Sequence, residues 1–180
     1  MSDKLPLLEK EILKFWEDNK VFEELKEQIK GRPLFKFVDG PITANNPMGV
    51  HHAWGRTMKD VFIRYHTMNG YDCKHQNGFD CQGLWVEVGV EKTLGLEDKQ
   101  AIEAYGVAEF AQKCRERVEK YANVITEQSK RLGQWMDWDN SYYTHSDENI
   151  QWIWKFLGKC NDNGWLQKRH RPMPWCSRCG

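Results

Sequence analysis

Apolar residues recur at steps of three and four along most of the chain, and the breaks between these runs divide it into elements. Between Pro6 and Lys30, the positions Leu8, Ile12 and Phe15 or Trp16, then Phe22, Leu25 and Ile29, predict two short amphipathic helices interrupted near Asp18 and Asn19. Leu34 to Val38 is a short apolar run with one lysine and reads as a buried strand. Asp39, Gly40, Pro41, Asn45, Asn46, Pro47 and Gly49 then break regular structure for about eleven residues. From His52, the positions Trp54, Met58, Val61, Phe62, Tyr65 and Met68 predict a helix up to Gly70.

Asp72 to Gln76 reads as a second strand of modest strength, which Asn77-Gly78 turns into a loop carrying Asp80. Gly83 to Thr93 is a helix ended by Gly95, and Asp98 to Tyr105 is a short one closed by Gly106. Val107 to Leu132 is the clearest element: Val107, Phe110, Cys114, Val118, Tyr121, Ile125 and Leu132 hold one face for about seven turns, and Gly133 stops it. Asp137 to Ser146 reads as an irregular aromatic connection. Asp147 to Asp162 is a helix with Ser146 as N-cap, Ile150, Ile153, Leu157 and Cys160 inside, and Gly164 as its stop. Trp165 to Met173 is a basic extended segment leading into a Cys-x-x-Cys motif, where the sequence ends.

The order strand, Gly/Pro/Asn loop, helix, strand, polar loop is that of a nucleotide-type βαβ unit. The first loop delivers His51 and His52 to the opening turn of a helix, where unpaired backbone N–H groups and the positive end of the helix dipole hold a phosphate or carboxylate. Imidazole donors there add charge-assisted hydrogen bonds of about 1.5–3 kcal/mol each. The same pattern also describes two surface histidines beside a loop. Ligands of open α/β sheets sit outside the carboxyl ends of the strands, so Asp80 is placed to hold an amino group; a lone loop aspartate is also a common turn former.

With 26 basic and 26 acidic residues in 180, the chain has zero net charge and no basic footprint for nucleic acid, so any such contact surface lies mostly elsewhere. No apolar run reaches the roughly 18 residues a membrane helix needs, and the N-terminus lacks a signal peptide, which implies a soluble cytoplasmic protein without a membrane partner. Cys73, Cys81, Cys114 and Cys160 fall in elements expected to be buried, which is reduced-compartment usage. Of the nine tryptophans, Trp135, Trp138, Trp152 and Trp154 cluster as core and interface. Cys176-x-x-Cys179 supplies two of the four ligands that tetrahedral zinc requires, and neither Cys160 nor His170 stands at a customary spacing to complete them.

In combination, Gly40-Pro41-Ile42-Thr43-Ala44-Asn45-Asn46 through Lys59-Asp60, then Gly78-Phe79-Asp80-Cys81-Gln82-Gly83-Leu84-Trp85-Val86-Glu87, resemble the opening of a class I aminoacyl-tRNA synthetase catalytic domain, most closely of the isoleucyl type. That family carries G-P-x-x-A-N-G, a His-x-Gly-His signature, a helix with K-D, and G-W-D-[CT]-H-G-L-P-[IV]-E. The resemblance runs on through Ile102 to Gly106, Cys114 to Glu116 and Ile153-Trp154 to the terminal Pro174-Trp175-Cys176-Ser177-Arg178-Cys179, covering the chain from about Phe35 onward.

The resemblance implies an α/β fold: the first half of a Rossmann-type parallel-sheet catalytic domain (34–164), preceded by helices (1–33) and followed by the start of a zinc-bearing insertion (165–180). It implies Gly40, Pro41, Asp80 and Gln82 at the amino acid, Asp80 receiving its amino group. Thr43, Asn45, Gly49 and His52 fall at ATP, His52 as the signature's last histidine. Cys176 and Cys179 match the first pair of a zinc site. ATP with Mg2+, isoleucine, and tRNA through parts absent here are the implied ligands, in an enzyme monomeric when complete. The sequence departs from the signature, which stands as Gly49-Val50-His51-His52, so that His51 is left as the second candidate for the phosphates. Losing one transition-state donor costs about 2.7–4 kcal/mol. Gln82 and Trp85 also replace a histidine and a proline. No K-M-S-K-S-like loop, editing domain or anticodon-binding helices are present, so the 180 residues alone are expected to have little aminoacylation activity. A leucyl or valyl enzyme of the same subclass, and a noncatalytic ATP- or tRNA-binding paralogue, are the alternatives.

Overall fold

The computed structural model describes residues 4–37 and 39–176. Helices α1 (Lys4–Asp18) and α2 (Val21–Ile29) form the expected pair, broken where Lys20 takes a left-handed conformation at φ 50°. They pack through aromatic edges: Trp16 meets Trp135 at 5.0 Å and Phe22 meets His75 at 5.1 Å between ring centroids.

Among the described residues, five short strands follow, all paired parallel. β1 (Leu34–Phe35) pairs with β3 (Asp72–Cys73), and β2 (Ile42–Thr43), β4 (Gln76–Asp80) and β5 (Asp137–Tyr143) form a second sheet in the order β2-β4-β5. The pairing Leu34 with Asp72 and Ile42 with Phe79 differs by one residue in register, so the stretch between Phe35 and Ile42 accommodates one residue more than its partner. Helix α3 (Val50–Met68) crosses from β2 to β4, which is the βαβ unit read from the sequence. Helices α4 (Leu84–Leu94), α5 (Lys99–Tyr105) and α6 (Val107–Arg131) carry the chain to β5, and α7 (Asp147–Asp162) follows.

Four strand readings need correction. Asn77-Gly78 is no turn but lies within buried β4, because the Asn77 side chain is satisfied inside: it accepts from Arg56 Nη2 at 2.7 Å and donates to Ser141 Oγ at 2.9 Å. Asp137 to Ser146 is no irregular connection, since its first seven residues are β5. The expected break from Asp39 to Gly49 contains β2. The strand expected to reach Val38 is seen at Leu34–Phe35, and Val38 lies outside the described residues.

Ser146 and Gly95 act as the cap and the stop read from the sequence, and Asp98 is a cap that the sequence reading did not single out. Asp98 Oδ1 accepts from Ala101 N at 2.8 Å, Ser146 Oγ from Asn149 N at 3.3 Å, and Gly95 closes α4 at φ 70°. Phe79, Ala44, Cys81 and Val86 bury themselves with Val118, Ala122 and Ile125 of α6 as the main core. Ile63 of α3, Cys73 and Met136 form a second one flanked by Trp138. Helix α7 departs from expectation. Ile150 and Ile153 are exposed, as are Trp152 and Trp154, because no other element among the described residues covers that face. No helix among the described residues is long and apolar enough to cross a membrane.

Both crossover helices lie on one face of the sheet. Arg56 of α3 reaches Asn77, and Phe79, two residues on, sits under α6. Strand residues alternate between faces, so Gly78 and Asp80 point to the other side. Thr43 joins them there, while Ile42 packs toward the core.

Candidate functional site at the carboxyl rim

Strands β2 and β4 end side by side, Thr43 in register with Asp80. Thr43 Oγ1 donates to Asp80 Oδ2 at 2.8 Å, and the backbone N–H of Gln82 approaches Asp80 Oδ1 at 3.4 Å. The carboxylate is thereby fixed at the strand end instead of in a free loop, with acceptor capacity left on both oxygens. Thr43, assigned to ATP by resemblance, is turned to Asp80. Gln82 itself is exposed. Gly40 is exposed with open space at its Cα, and Pro41 is half-buried.

The loop after β2 is tied down at each turn. Asn45 is buried, its Nδ2 donating to Trp85 O at 2.8 Å and its Oδ1 accepting from Arg117 Nε at 2.6 Å. Asn45 is therefore committed to holding the loop against α4 and α6. Met48 N donates to Gln128 Oε1 at 2.7 Å. Gly49 then caps α3 in an extended conformation.

The Gly49 N–H donates to His52 Nδ1 at 3.2 Å, and Gly49 O accepts from the His52 N–H at 3.1 Å. Acceptance at Nδ1 places the proton of the neutral ring on Nε2. Partial burial, then His51, then Arg56 hold His52 below the ordinary histidine range, so the ring is neutral near pH 7. His51 is exposed and lies 3.8 Å from His52 between centroids. Its Cε1 stands 3.0 Å from where a Cβ on Gly49 would be, so the His51 ring covers the position that lost its side chain.

The two loops share one electrostatic neighbourhood. Arg56 is nearly buried and bonded to Gln134 and Asn77; burial lowers its pKa and Asp39 raises it. Asp39 pairs with Lys59 of α3. The Tyr142 phenol is pushed up by burial, then by Asp39 and Asp80. Asp39 thus bears on both Arg56 and Tyr142, and Asp80 on Tyr142 as well. Arg117 and Tyr142 escaped sequence reasoning: an arginine on a charged helix and a tyrosine in an apparent connection give no signal of their own.

Cys176, the described member of the Cys176 and Cys179 pair, is exposed, and Cys179 lies outside the described residues. Among the described residues, no group of three or more His, Cys, Asp or Glu gathers into a metal site. Two cysteines supply half of tetrahedral zinc's ligands, so the residues described do not complete the site.

A parallel α/β half-domain, with an imidazole at a helix N-terminus and a carboxylate at the neighbouring strand end, defines a site for activated, charged small molecules. Residues 11–180 match the family described as tRNA synthetases class I (I, L, M and V), and the chain belongs to it. It is 46% identical over 98% of its length to the isoleucine--tRNA ligase of Streptomyces coelicolor, 43% over 97% to that of Thermus thermophilus, and 42% over 96% to that of Pyrococcus horikoshii. It spans 17%, 17% and 16% of those relatives. Among solved structures, it resembles a leucyl-tRNA synthetase of Agrobacterium radiobacter K84, crystallised in a ternary complex with tRNA and LeuAMS. The TM-score is 0.58 and the identity 16%, over 87% of this chain and 17% of that one, a likeness of fold.

Proposed function

We propose that this chain is the N-terminal part of an isoleucine--tRNA ligase, holding the half of the catalytic domain that grips isoleucine and the phosphates of ATP. The observation that carries the reading is the pairing of Thr43 with Asp80 beside the Gly49 and His52 clasp, within a chain over 40% identical to several isoleucine--tRNA ligases. Residues 1–33 are the helical extension, 34–164 the catalytic half and 165–180 the start of an insertion.

In this reading, Asp80 receives the α-ammonium of isoleucine, with Gly40, Pro41 and Gln82 around it. The isoleucine carboxylate attacks the α-phosphorus of ATP, the new O–P bond forms as the bond to the β-phosphate oxygen breaks, and pyrophosphate leaves; Mg2+ carried by the ATP phosphates would offset their charge. His52 Nε2–H donates to the phosphate oxygens as charge shifts onto them, and the neutral ring needs no proton transfer to do so. His51, lying over Gly49, supplies the second imidazole. Gly49 opens the helix terminus that faces the anion, while Thr43 and Asn45 hold the strand end and the loop in place. The aminoacyl group then passes to the terminal ribose of tRNA, bound mostly by parts outside these residues. Cys176 and Cys179 stand as a half-site for zinc with no part in the chemistry.

The test is amino-acid-dependent ATP–pyrophosphate exchange by the complete polypeptide. Isoleucine is expected to support exchange with the highest kcat/KM. A higher value for leucine or valine would reassign the substrate within the subclass, where one methylene in an apolar pocket is worth about 1–3 kcal/mol. No exchange with any amino acid would leave a noncatalytic paralogue.

A further inference from the structure

The sheet face opposite the helices carries a polar group that neither motif of the family contains. Strand β5 places two tyrosines on opposite faces. Tyr143, in register with Phe79, stacks on it at 5.5 Å in the core. Tyr142, in register with Gly78, turns the other way. Its ring lies directly against the Gly78 backbone: a Cβ at that position would stand 2.1 Å from Cε1 and 2.3 Å from Cζ. Only glycine in the central strand admits the tyrosine there, so the Asn-Gly pair that reads as a turn serves a cross-strand contact.

That contact sets the phenol on the sheet face that Asp80 shares. Asp80 lies two residues beyond Gly78 on the same strand and shares its face; burial first, then Asp39 and Asp80, push the Tyr142 phenol up. Among the described residues that hydroxyl has no hydrogen-bond partner, while Thr43 and Gln82 occupy only part of the Asp80 carboxylate. Lys59 answers Asp39, whereas no basic side chain among the described residues pairs with Asp80, so Asp80 and the phenol oxygen are acceptors on one sheet face. An ammonium group carries three donors and no acceptor, the complement of this pair.

We propose that Tyr142, seated on Gly78, is a substrate-contact residue whose hydroxyl oxygen accepts a hydrogen bond from the α-ammonium held by Asp80. This rests on the reading above that Asp80 binds the amino acid, and it adds a residue to that site. The hydroxyl has no part in binding ATP, because the phosphates lie at the α3 terminus.

In the complete enzyme, Tyr142→Phe is expected to raise the KM for isoleucine in ATP–pyrophosphate exchange about tenfold or more, the scale of one hydrogen bond to a charged group. The KM for ATP and the melting temperature stay near wild type. Gly78→Ala, which displaces the ring, is expected to raise the same KM. An unchanged KM for isoleucine in Tyr142→Phe overturns the proposal and leaves the Asp80 reading intact. Parallel loss for both substrates with a lowered melting temperature also overturns it, by showing a packing role. Wild-type protein without isoleucine-dependent exchange removes both readings together.

Discussion

Gly49 and His52 clasp each other across the first turn of α3, each backbone N–H satisfied by the other residue: Gly49 N–H by His52 Nδ1 at 3.2 Å, and His52 N–H by Gly49 O at 3.1 Å. The imidazole therefore does two jobs, closing the helix end with one nitrogen and offering the other as a neutral donor. His52→Ala is expected to lower ATP–pyrophosphate exchange in the complete enzyme by about two to three decades, as loss of one preorganised donor does. His52→Asn, whose carbonyl oxygen can take the Gly49 N–H, should retain part of the activity. Equal loss in the two variants would show that the clasp is irrelevant.

His75 makes the fold sensitive to acid. It is buried, its Nδ1 faces Trp135 O at 3.1 Å, and its Nε2 has no partner among the described residues. Desolvation pushes its pKa below the usual value, outweighing the Trp135 carbonyl that favours the charged form. A base with a lowered folded-state pKa binds fewer protons folded than unfolded, so stability is fully present above the unfolded value near 6.5 and is lost as pH falls through it. The melting temperature is expected to drop between about pH 7.5 and 5.5, and His75→Gln to flatten that drop. Thermal denaturation of both proteins at the two pH values checks this.

Arg117 fastens the loop between β2 and α3 to α6. It bonds Asn45 Oδ1 at 2.6 Å and Asn46 Oδ1 at 3.3 Å, and it lies over Gly89 so closely that a Cβ there would come within 2.7 Å of Nε. Arg117→Met is expected to cost about 1–3 kcal/mol, the scale of leaving Asn45 Oδ1 buried and unpaired. Gly89→Ala should destabilise by dislodging the same guanidinium. The two changes together should cost less than their sum in denaturant unfolding, because both remove one contact.

The helices were legible in the sequence because each carries its own start and stop. Ser146, Gly95, Gly106 and Gly133 act within a turn of where they stand. The strands were not, for reasons particular to each. β2 has only two residues and sits among Gly, Pro and Asn. β4 contains Asn77-Gly78, whose local signal says turn, while Arg56 and Tyr142, distant in sequence, make it a strand. β5 reads DWDNSYY, polar enough to pass for a connection until its pairing with β4 is seen. Asp80 and His52 were singled out from loop chemistry and resemblance, and each stands at the end of the element that positions it. Thr43 was assigned to ATP by resemblance, and its pairing with Asp80 could only come from the register of two strands. The exposure of α7 was invisible for the opposite reason: its apolar face is real, but what would cover it is not among the described residues.

The most direct measurement is the pair of Michaelis constants in ATP–pyrophosphate exchange for Asp80→Asn in the complete polypeptide. In the proposed reading, removing the carboxylate that Thr43 orients takes away the partner of the substrate ammonium, a loss of about 2–5 kcal/mol. The expected result is a KM for isoleucine raised about 30-fold or more with the KM for ATP within about twofold of wild type. An isoleucine KM unchanged in Asp80→Asn, or a rise confined to ATP, would contradict the account.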